Sequence, residues 1–249
     1  MRTGELSSDQ FSYRITNKNR SGCIGRVETS VSKNSTDKKY LTTRGVVYQM
    51  MEAIILAAGF SRRMKQNKLL LPLSRATVIE NTVMNCLCTG IDGVTVVLGN
   101  EKEKVRQVLE QYPVHFIENP RYAEGMSSSI QEGIKILIRD QKMDGVMILP
   151  GDMPFIKPET INYLVENFQK NPGSIIIPVF QDRKGHPIFF NKSLFPNILN
   201  IPEDMGLREV IKENIEKVLY VDVSDQGILI DLDRPEDYAY WHSKELREV

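Results

Sequence analysis

Short apolar runs alternate with amphipathic segments of about ten residues from residue 51 onward, and this alternation restricts the possible folds most strongly. The predicted buried strands are 53–58, 94–98, 114–117 and 146–149, and the helices predicted between them are 77–88, 101–111 and 128–138. Strands and helices in this order form βαβ units. We therefore expect a single Rossmann-like α/β domain, with a mostly parallel central sheet flanked by helices.

The C-terminal third continues the pattern less regularly. Its predicted elements are a helix at 158–169, strands at 175–179, 187–190, 218–223 and 228–232, a short helix at 207–213 and a last helix from Pro235. Ligands in an open α/β sheet bind beyond the carboxyl ends of the strands. The loops after Ala58, Leu98, Ile117 and Leu149 are therefore the places to look for chemistry.

Residues 1–50 differ from the domain predicted at 51–249. They carry nine basic and four acidic side chains and sixteen Ser, Thr or Asn, without sustained periodicity. Such a segment buries too little apolar surface to offset its ordering entropy, so we expect a disordered leader at least through Lys39. A targeting peptide, a basic docking arm, or a mis-called start before Met50 or Met51 are the alternatives.

Composition excludes several classes of protein. The chain is 41% hydrophobic with 32 basic and 32 acidic residues, and it has neither a membrane-length apolar run nor a signal-peptide core. It also lacks a basic stripe for nucleic acid. Its three cysteines lack the paired spacing of a zinc site, so we expect free thiols. We predict a cytoplasmic protein that binds neither nucleic acid nor membrane.

The loop after the first predicted strand combines small residues with cations. Leu56, Ala57, Ala58 and Gly59 would let a ligand approach the backbone, and the cations that follow are Arg62, Arg63, Lys65 and Lys68. This combination suits a polyphosphate. The loop is neither a G-x-G-x-x-G motif nor a P-loop, and a solvated basic loop is the alternative.

Carboxylates follow two of the predicted strands. Asp152 lies between Gly151 and Met153 directly after a strand, and a hard carboxylate there suits Mg²⁺, with helix capping as the alternative. Asp231 and Asp233 alternate at the end of the predicted strand 228–232, so they face the same side. We assign Asp231 to the metal and Asp233 to the cap of the last helix.

Two further motifs contain polar residues next to predicted helix or strand starts. Gly125 precedes Ser127, Ser128 and Ser129 at a predicted helix start, where free amides, hydroxyls and the helix dipole favour an anion. One serine as an ordinary cap is the alternative. His186, in Gly-His-Pro, starts a strand, and by itself it is either a structural histidine or a catalytic one.

These motifs together resemble the MobA/MocA-like nucleotidyltransferases, within them the molybdenum cofactor cytidylyltransferase branch. The resemblance rests on the motifs L-A-A-G-x-S-x-R-M-x-x-x-K-L-L, G-M-S-S-S, G-D-M-P, G-H-P and a form of D-I-D-T-P-E-D. The chain departs from the family at Lys65, where Gly is usual, and at Arg234, where Thr is usual.

The resemblance implies roles for individual residues. Leu56, Ala57, Ala58, Gly59 and Gly151 would hold the nucleotide, and Arg63 and Lys68 its phosphates; Asp152 and Asp231 would hold Mg²⁺; Gly125, Ser127, Ser128, Ser129 and His186 would bind the second substrate. Arg63, Lys68 and Asp152 would be the catalytic residues.

The resemblance further implies transfer of CMP from CTP to molybdenum-molybdopterin, with release of pyrophosphate. The Ala58 methyl group favours CTP, because guanylyl-transferring relatives tend to have L-A-G-G here. Alternatives are GTP, a sugar or polyol phosphate acceptor, or a non-catalytic cofactor chaperone. A xanthine dehydrogenase-type molybdoenzyme, or its maturation factor, is the expected partner.

Overall fold

The computed structural model describes residues 40–41, 47–139, 143–202 and 205–248 of the chain. The predictions for residues 1–39 and 42–46 of the leader lie outside the described residues. In the described part the strands are β1 (Tyr40–Leu41), β2 (Val47–Tyr48), β3 (Met50–Ala57), β4 (Pro72–Leu73), β5 (Ala76–Thr77), β6 (Gly93–Leu98), β7 (His115–Glu118), β8 (Met143–Pro150), β9 (Ile175–Phe180), β10 (Arg183–Lys184), β11 (Ile188–Asn191) and β12 (Val218–Asp222).

The helices in these residues lie between the strands or after the last of them. They are α1 (Val78–Leu87), α2 (Lys102–Leu109), α3 (Met126–Leu137), α4 (Pro158–Lys170), α5 (Phe195–Leu199), α6 (Leu207–Glu213) and α7 (Pro235–Glu248). None of these helices has the length and hydropathy needed to cross a bilayer.

Eight of the described strands form one sheet in the order β10-β9-β11-β8-β3-β6-β7, with β12 paired to β9. The strands β8, β3, β6 and β7 are parallel, as predicted, and β11 runs antiparallel to both of its neighbours. The chain crosses from β7 back over β3 to form β8. The carboxyl ends of β3 and β8 therefore meet where the strand order reverses, which is where open α/β sheets bind ligands.

Helices cover both faces of the sheet. Alternate strand residues point to opposite faces: Ile55, Val96 and Leu149 pack on one face with α1 and α4, whereas Ile54 and Val97 pack on the other with α3 and α5. These five side chains are at most 1% exposed. Burial on both faces explains why the parallel strands are continuous apolar runs in the sequence.

The structure corrects two details of the C-terminal third. The strand predicted at 228–232 does not form; Gln226–Leu229 is a 3-10 helix instead, because the buried Asp225 carboxylate accepts hydrogen bonds from Gly227 N–H and Thr160 Oγ1. Helix α5 was not predicted, since five residues are too few to show a helical period.

Candidate active site

The loop after β3 presents small residues and open backbone at the carboxyl edge of the sheet. Ala58 is buried, whereas Gly59 is exposed, and a Cβ built on Gly59 would have no atom within 4 Å. The carbonyl oxygen of Leu56 accepts a hydrogen bond from Gly151 N–H at 2.9 Å, and a Cβ on Gly151 would lie 2.9 Å from that oxygen. Glycine thus permits the close approach that joins the ends of β3 and β8.

The basic segment that follows folds back on itself. Ser61 accepts hydrogen bonds from Met64 N–H at its carbonyl oxygen (3.0 Å) and from Lys68 N–H at its Oγ (3.2 Å). Lys68 then begins a 3-10 helix, Lys68–Leu70, whose Leu69 is buried. Lys65 has a φ of 58°, in the left-handed region that favours glycine, which gives a physical reason for the glycine it replaces.

Three carboxylates meet at this edge and form an acidic triad, Asp152, Asp231 and Asp233. One oxygen of each lies within 4.8 Å of the others. Asp152 follows β8 and is buried, and its carbonyl oxygen accepts a hydrogen bond from Leu232 N–H at 3.1 Å. Leu232 is fully buried, so the residues on either side of it, Asp231 and Asp233, point away from the core toward the carboxyl edge of the sheet.

Two cations contact the triad directly. Lys68 Nζ donates hydrogen bonds to Asp152 Oδ2 and, at 2.5 Å, to Asp233 Oδ1. Arg63 Nη1 donates a hydrogen bond to Asp233 Oδ2 at 2.6 Å. The Lys68 side chain is 17% exposed and that of Arg63 is 67% exposed. The sequence analysis placed Arg63, Lys68, Asp152 and Asp231 at the site, and the structure brings all four together.

Asp233 is the member of the site that sequence reasoning missed. It was assigned to the cap of α7, but both of its carboxylate oxygens bond cations of the first loop. Arg234 N–H, at the start of α7, donates instead to Asp237 Oδ2 at 3.0 Å. The alternation of Asp231 and Asp233 was the signal that could have identified it.

The pKa shifts in the cluster follow from burial and charge. Burial, together with the charges of Asp152 and Asp233, raises the pKa of Asp231. Burial alone would raise the pKa of Asp233, but Lys68 and Arg63 outweigh it and lower that pKa. Burial opposes the charge on Lys68, yet its two carboxylate partners raise its pKa. Lys68 therefore stays protonated, and Asp231 is the carboxylate whose charge is least compensated.

The serine loop forms a separate cluster with Asn119. Gly125 has a φ of 115°, which requires glycine, and α3 begins directly after it. Asn119 Nδ2 donates to Ser128 Oγ (2.8 Å) and Ser129 Oγ (2.9 Å), and Ser127 Oγ bonds the carbonyl oxygen of Met205. All three serines are buried with protein partners, so an anion would meet the first amides of α3 rather than free hydroxyls. Their role in binding stays a prediction.

His186 is linked through its backbone to the segment that precedes Asp231. The backbone N–H of His186 donates a hydrogen bond to the carbonyl oxygen of Ile228 at 3.0 Å. Ile228 lies in the 3-10 helix that precedes Asp231. The Nδ1 of His186 is buried and has no hydrogen-bond partner among the described residues. Burial lowers the pKa of His186, and the charge of Asp152 offsets this lowering in part. Its imidazole is therefore neutral at pH 7 and has an unused polar atom.

The triad fits a divalent cation of the Mg²⁺ class. Its donors are hard carboxylate oxygens, which Mg²⁺ and Mn²⁺ prefer. Three carboxylates face two cations, Lys68 and Arg63, so the contacts leave an excess of negative charge. A divalent cation bound by the triad would compensate that charge.

Comparisons with known proteins show the family of the chain. The family model described as "MobA-like NTP transferase domain" matches residues 53–218. The molybdenum cofactor cytidylyltransferase of Escherichia coli is 27% identical, over 76% of this chain and 93% of its own. The purine catabolism protein PucB of Bacillus subtilis is 28% identical, over 74% of this chain and 92% of its own.

Solved structures share the fold. A nucleotidyl transferase from Methanothermobacter thermautotrophicus, Mth528, is 25% identical with a TM-score of 0.69, over 80% of this chain and 99% of its own. Rv0371c of Mycobacterium tuberculosis, solved in complex with manganese, is 23% identical with a TM-score of 0.63, over 78% of this chain and 98% of its own. With a family match across most of the domain and this site, the chain belongs to the MobA-like NTP transferase family and is a nucleotidyltransferase of the MobA/MocA type.

Proposed function

We propose that the protein transfers CMP from CTP to the terminal phosphate of molybdenum-molybdopterin and releases pyrophosphate. The observation that carries this proposal is the acidic triad in contact with Lys68, whose loop also has open backbone at Gly59. A triphosphate bound there would lie next to both the cations and the metal site.

Asp152, Asp231 and Asp233 would hold Mg²⁺. Bound at this position, Mg²⁺ would neutralise phosphate charge as it develops. This assignment is supported by the carboxylate oxygens within 4.8 Å of one another and by the solved relative that binds manganese.

The chain's own residues would position the reactants and neutralise charge. Arg63 and Lys68 would contact the phosphates, and the backbone from Leu56 to Gly59 would hold the base and ribose. A phosphate monoester is already an anion at pH 7, so the attacking group needs no general base. Catalysis would therefore consist mostly of in-line positioning and charge stabilisation.

The second substrate would bind near the serine loop and His186. The first amides of α3 suit its phosphate. The buried, unpartnered Nδ1 of His186 suits a polar group of the pterin. The name of the E. coli relative supports a molybdenum cofactor as the substrate, and that of the B. subtilis relative supports a role in purine catabolism. The recipient we propose is an enzyme of the xanthine dehydrogenase type.

Pyrophosphate release tests the proposal. The purified protein would be incubated with Mg²⁺, molybdenum-loaded molybdopterin and one nucleoside triphosphate at a time. With the cofactor present, we expect pyrophosphate and a cytosine dinucleotide when the nucleotide is CTP and not when it is another triphosphate. Without the cofactor we expect neither product. Release with GTP instead would refute the base choice. No release with any nucleotide, together with tight retention of the cofactor, would favour the chaperone.

Asp152→Asn is the matched test of the metal site. We expect turnover to fall by at least ~100-fold, because a charged group at the reacting phosphates is lost. Asp144→Asn is the control: Asp144 lies near the other end of β8, where it bonds Met50 N–H and Lys192. It should keep normal turnover. Near-normal turnover in Asp152→Asn would remove Asp152 from the mechanism.

A further inference from the structure

The Lys68 ammonium is bonded to two members of the acidic triad at once. Its Nζ bonds Asp152 and, at 2.5 Å, Asp233, and only 17% of its side chain is exposed. Asp152 and Asp233 are also the groups that the proposed function gives to a metal ion. The same two carboxylates can therefore pair either with the Lys68 ammonium or with a metal ion.

The Lys68 backbone is held in place, whereas its charge lies at the end of a long side chain. Its N–H donates to Ser61 Oγ, and the next residue, Leu69, is 4% exposed in the core. The ammonium stands on a flexible four-carbon stem. The charge can therefore leave the carboxylates without any change in the loop that carries it.

A divalent cation and the ammonium compete at this position. Both are positive, so they repel each other at the distance set by a shared carboxylate. Magnesium also requires strict geometry at short metal-oxygen distances, which a lysine bonded to two of its ligands obstructs. With the metal bound, the ammonium needs another anion.

We infer that Lys68 is an exchangeable counter-ion, which neutralises Asp152 and Asp233 until a divalent cation binds the triad and then moves to the incoming triphosphate. This inference rests on the proposed function for the identity of that second anion. Cation and nucleotide then strengthen each other's binding, because each removes a cost that the other would meet alone. The cation by itself binds weakly, since it must displace Lys68.

The competition between Lys68 and the cation is tested by titrating the protein with Mn²⁺ in the absence of nucleotide. Electron paramagnetic resonance of the free ion measures how much Mn²⁺ is bound. We expect Lys68→Met to bind Mn²⁺ at least about fivefold more tightly than the wild type. Lys170→Met, which removes a surface lysine paired with Glu166, should bind it as the wild type does. If Lys68→Met does not fold without metal, Lys68→Gln replaces it, with the same direction of change. Equal or weaker binding overturns the inference.

Chemical labelling tests the movement. Acetic anhydride would be applied with and without Mn²⁺, and modification of Lys68 measured by peptide mass spectrometry. We expect Mn²⁺ to raise the labelling of Lys68 several-fold, and to raise it less at the same Mn²⁺ concentration in Asp231→Asn, which has lost a ligand. Unchanged labelling of the wild type with Mn²⁺ bound would show a fixed ion pair and refute the exchange. Neither readout uses nucleotide or pterin, so failure here is distinct from failure of pyrophosphate release.

Discussion

Replacing Asp231 by Asn should stabilise the metal-free protein and weaken its metal binding. One oxygen of Asp231 lies within 4.8 Å of an oxygen of Asp152 and of Asp233. The Asp231 side chain is exposed although its carboxylate is partly desolvated, so the dielectric of water gives a lower bound of about 0.9 kcal/mol for the repulsion of each pair at that distance. Lys68, bonded to the other two carboxylates, offsets part of the sum. The net repulsion removed by Asp231→Asn is therefore ~1 kcal/mol.

The assay is thermal unfolding at low ionic strength, with EDTA and then with increasing Mn²⁺. In EDTA, Asp231→Asn should unfold about 2–4 °C above the wild type. At about a hundred times the dissociation constant, metal should stabilise the wild type by ~2.7 kcal/mol and the variant by less. The order of the two unfolding temperatures should then reverse.

The exposed residue Glu166 supplies the control. Glu166→Gln removes a carboxylate from a surface pair with Lys170 and should leave both unfolding temperatures near the wild type. An Asp231→Asn protein that is less stable than the wild type in EDTA would contradict the repulsion. One that keeps the full stabilisation by Mn²⁺ would remove Asp231 from the metal site.

Two predictions concern residues outside the triad. Lys65→Gly should raise the free energy of unfolding by ~0.5–1 kcal/mol, because Lys65 holds a φ of 58°; a lower value in urea denaturation would contradict this. Burial raises the pKa of the Cys86 thiol from 9.0 to about 12. The folded state thus keeps a proton that the unfolded state loses, and stability present below pH 9.0 should fall by up to ~1.4 kcal/mol per pH unit as pH rises toward 12. Cys86→Ala should lose that slope in denaturation curves from pH 8 to 10.5, and an unchanged slope would refute the assignment.

Local sequence patterns were sufficient for the elements of the parallel sheet. The apolar runs of β3, β6 and β8 indicated strands because both faces are buried, and the amphipathic segments between them indicated helices. The same reasoning failed at 228–232, where an apolar, alternating run forms no strand. The buried Asp225 fixes that segment through Thr160, 65 residues earlier, and such a contact leaves no local pattern.

The sequence by itself determined the α/β fold, the edge of the sheet that carries the site, and most of the residues there, because these follow from short-range periodicity and from strand ends. Only the tertiary structure decided which charges meet. Lys68 and Asp233 are 165 residues apart in the chain, and the strand order together with buried Leu232 brings them into contact. The structure also showed that the serine hydroxyls bond within the protein. Partners of this kind depend on packing between distant segments, which no local pattern of residues encodes.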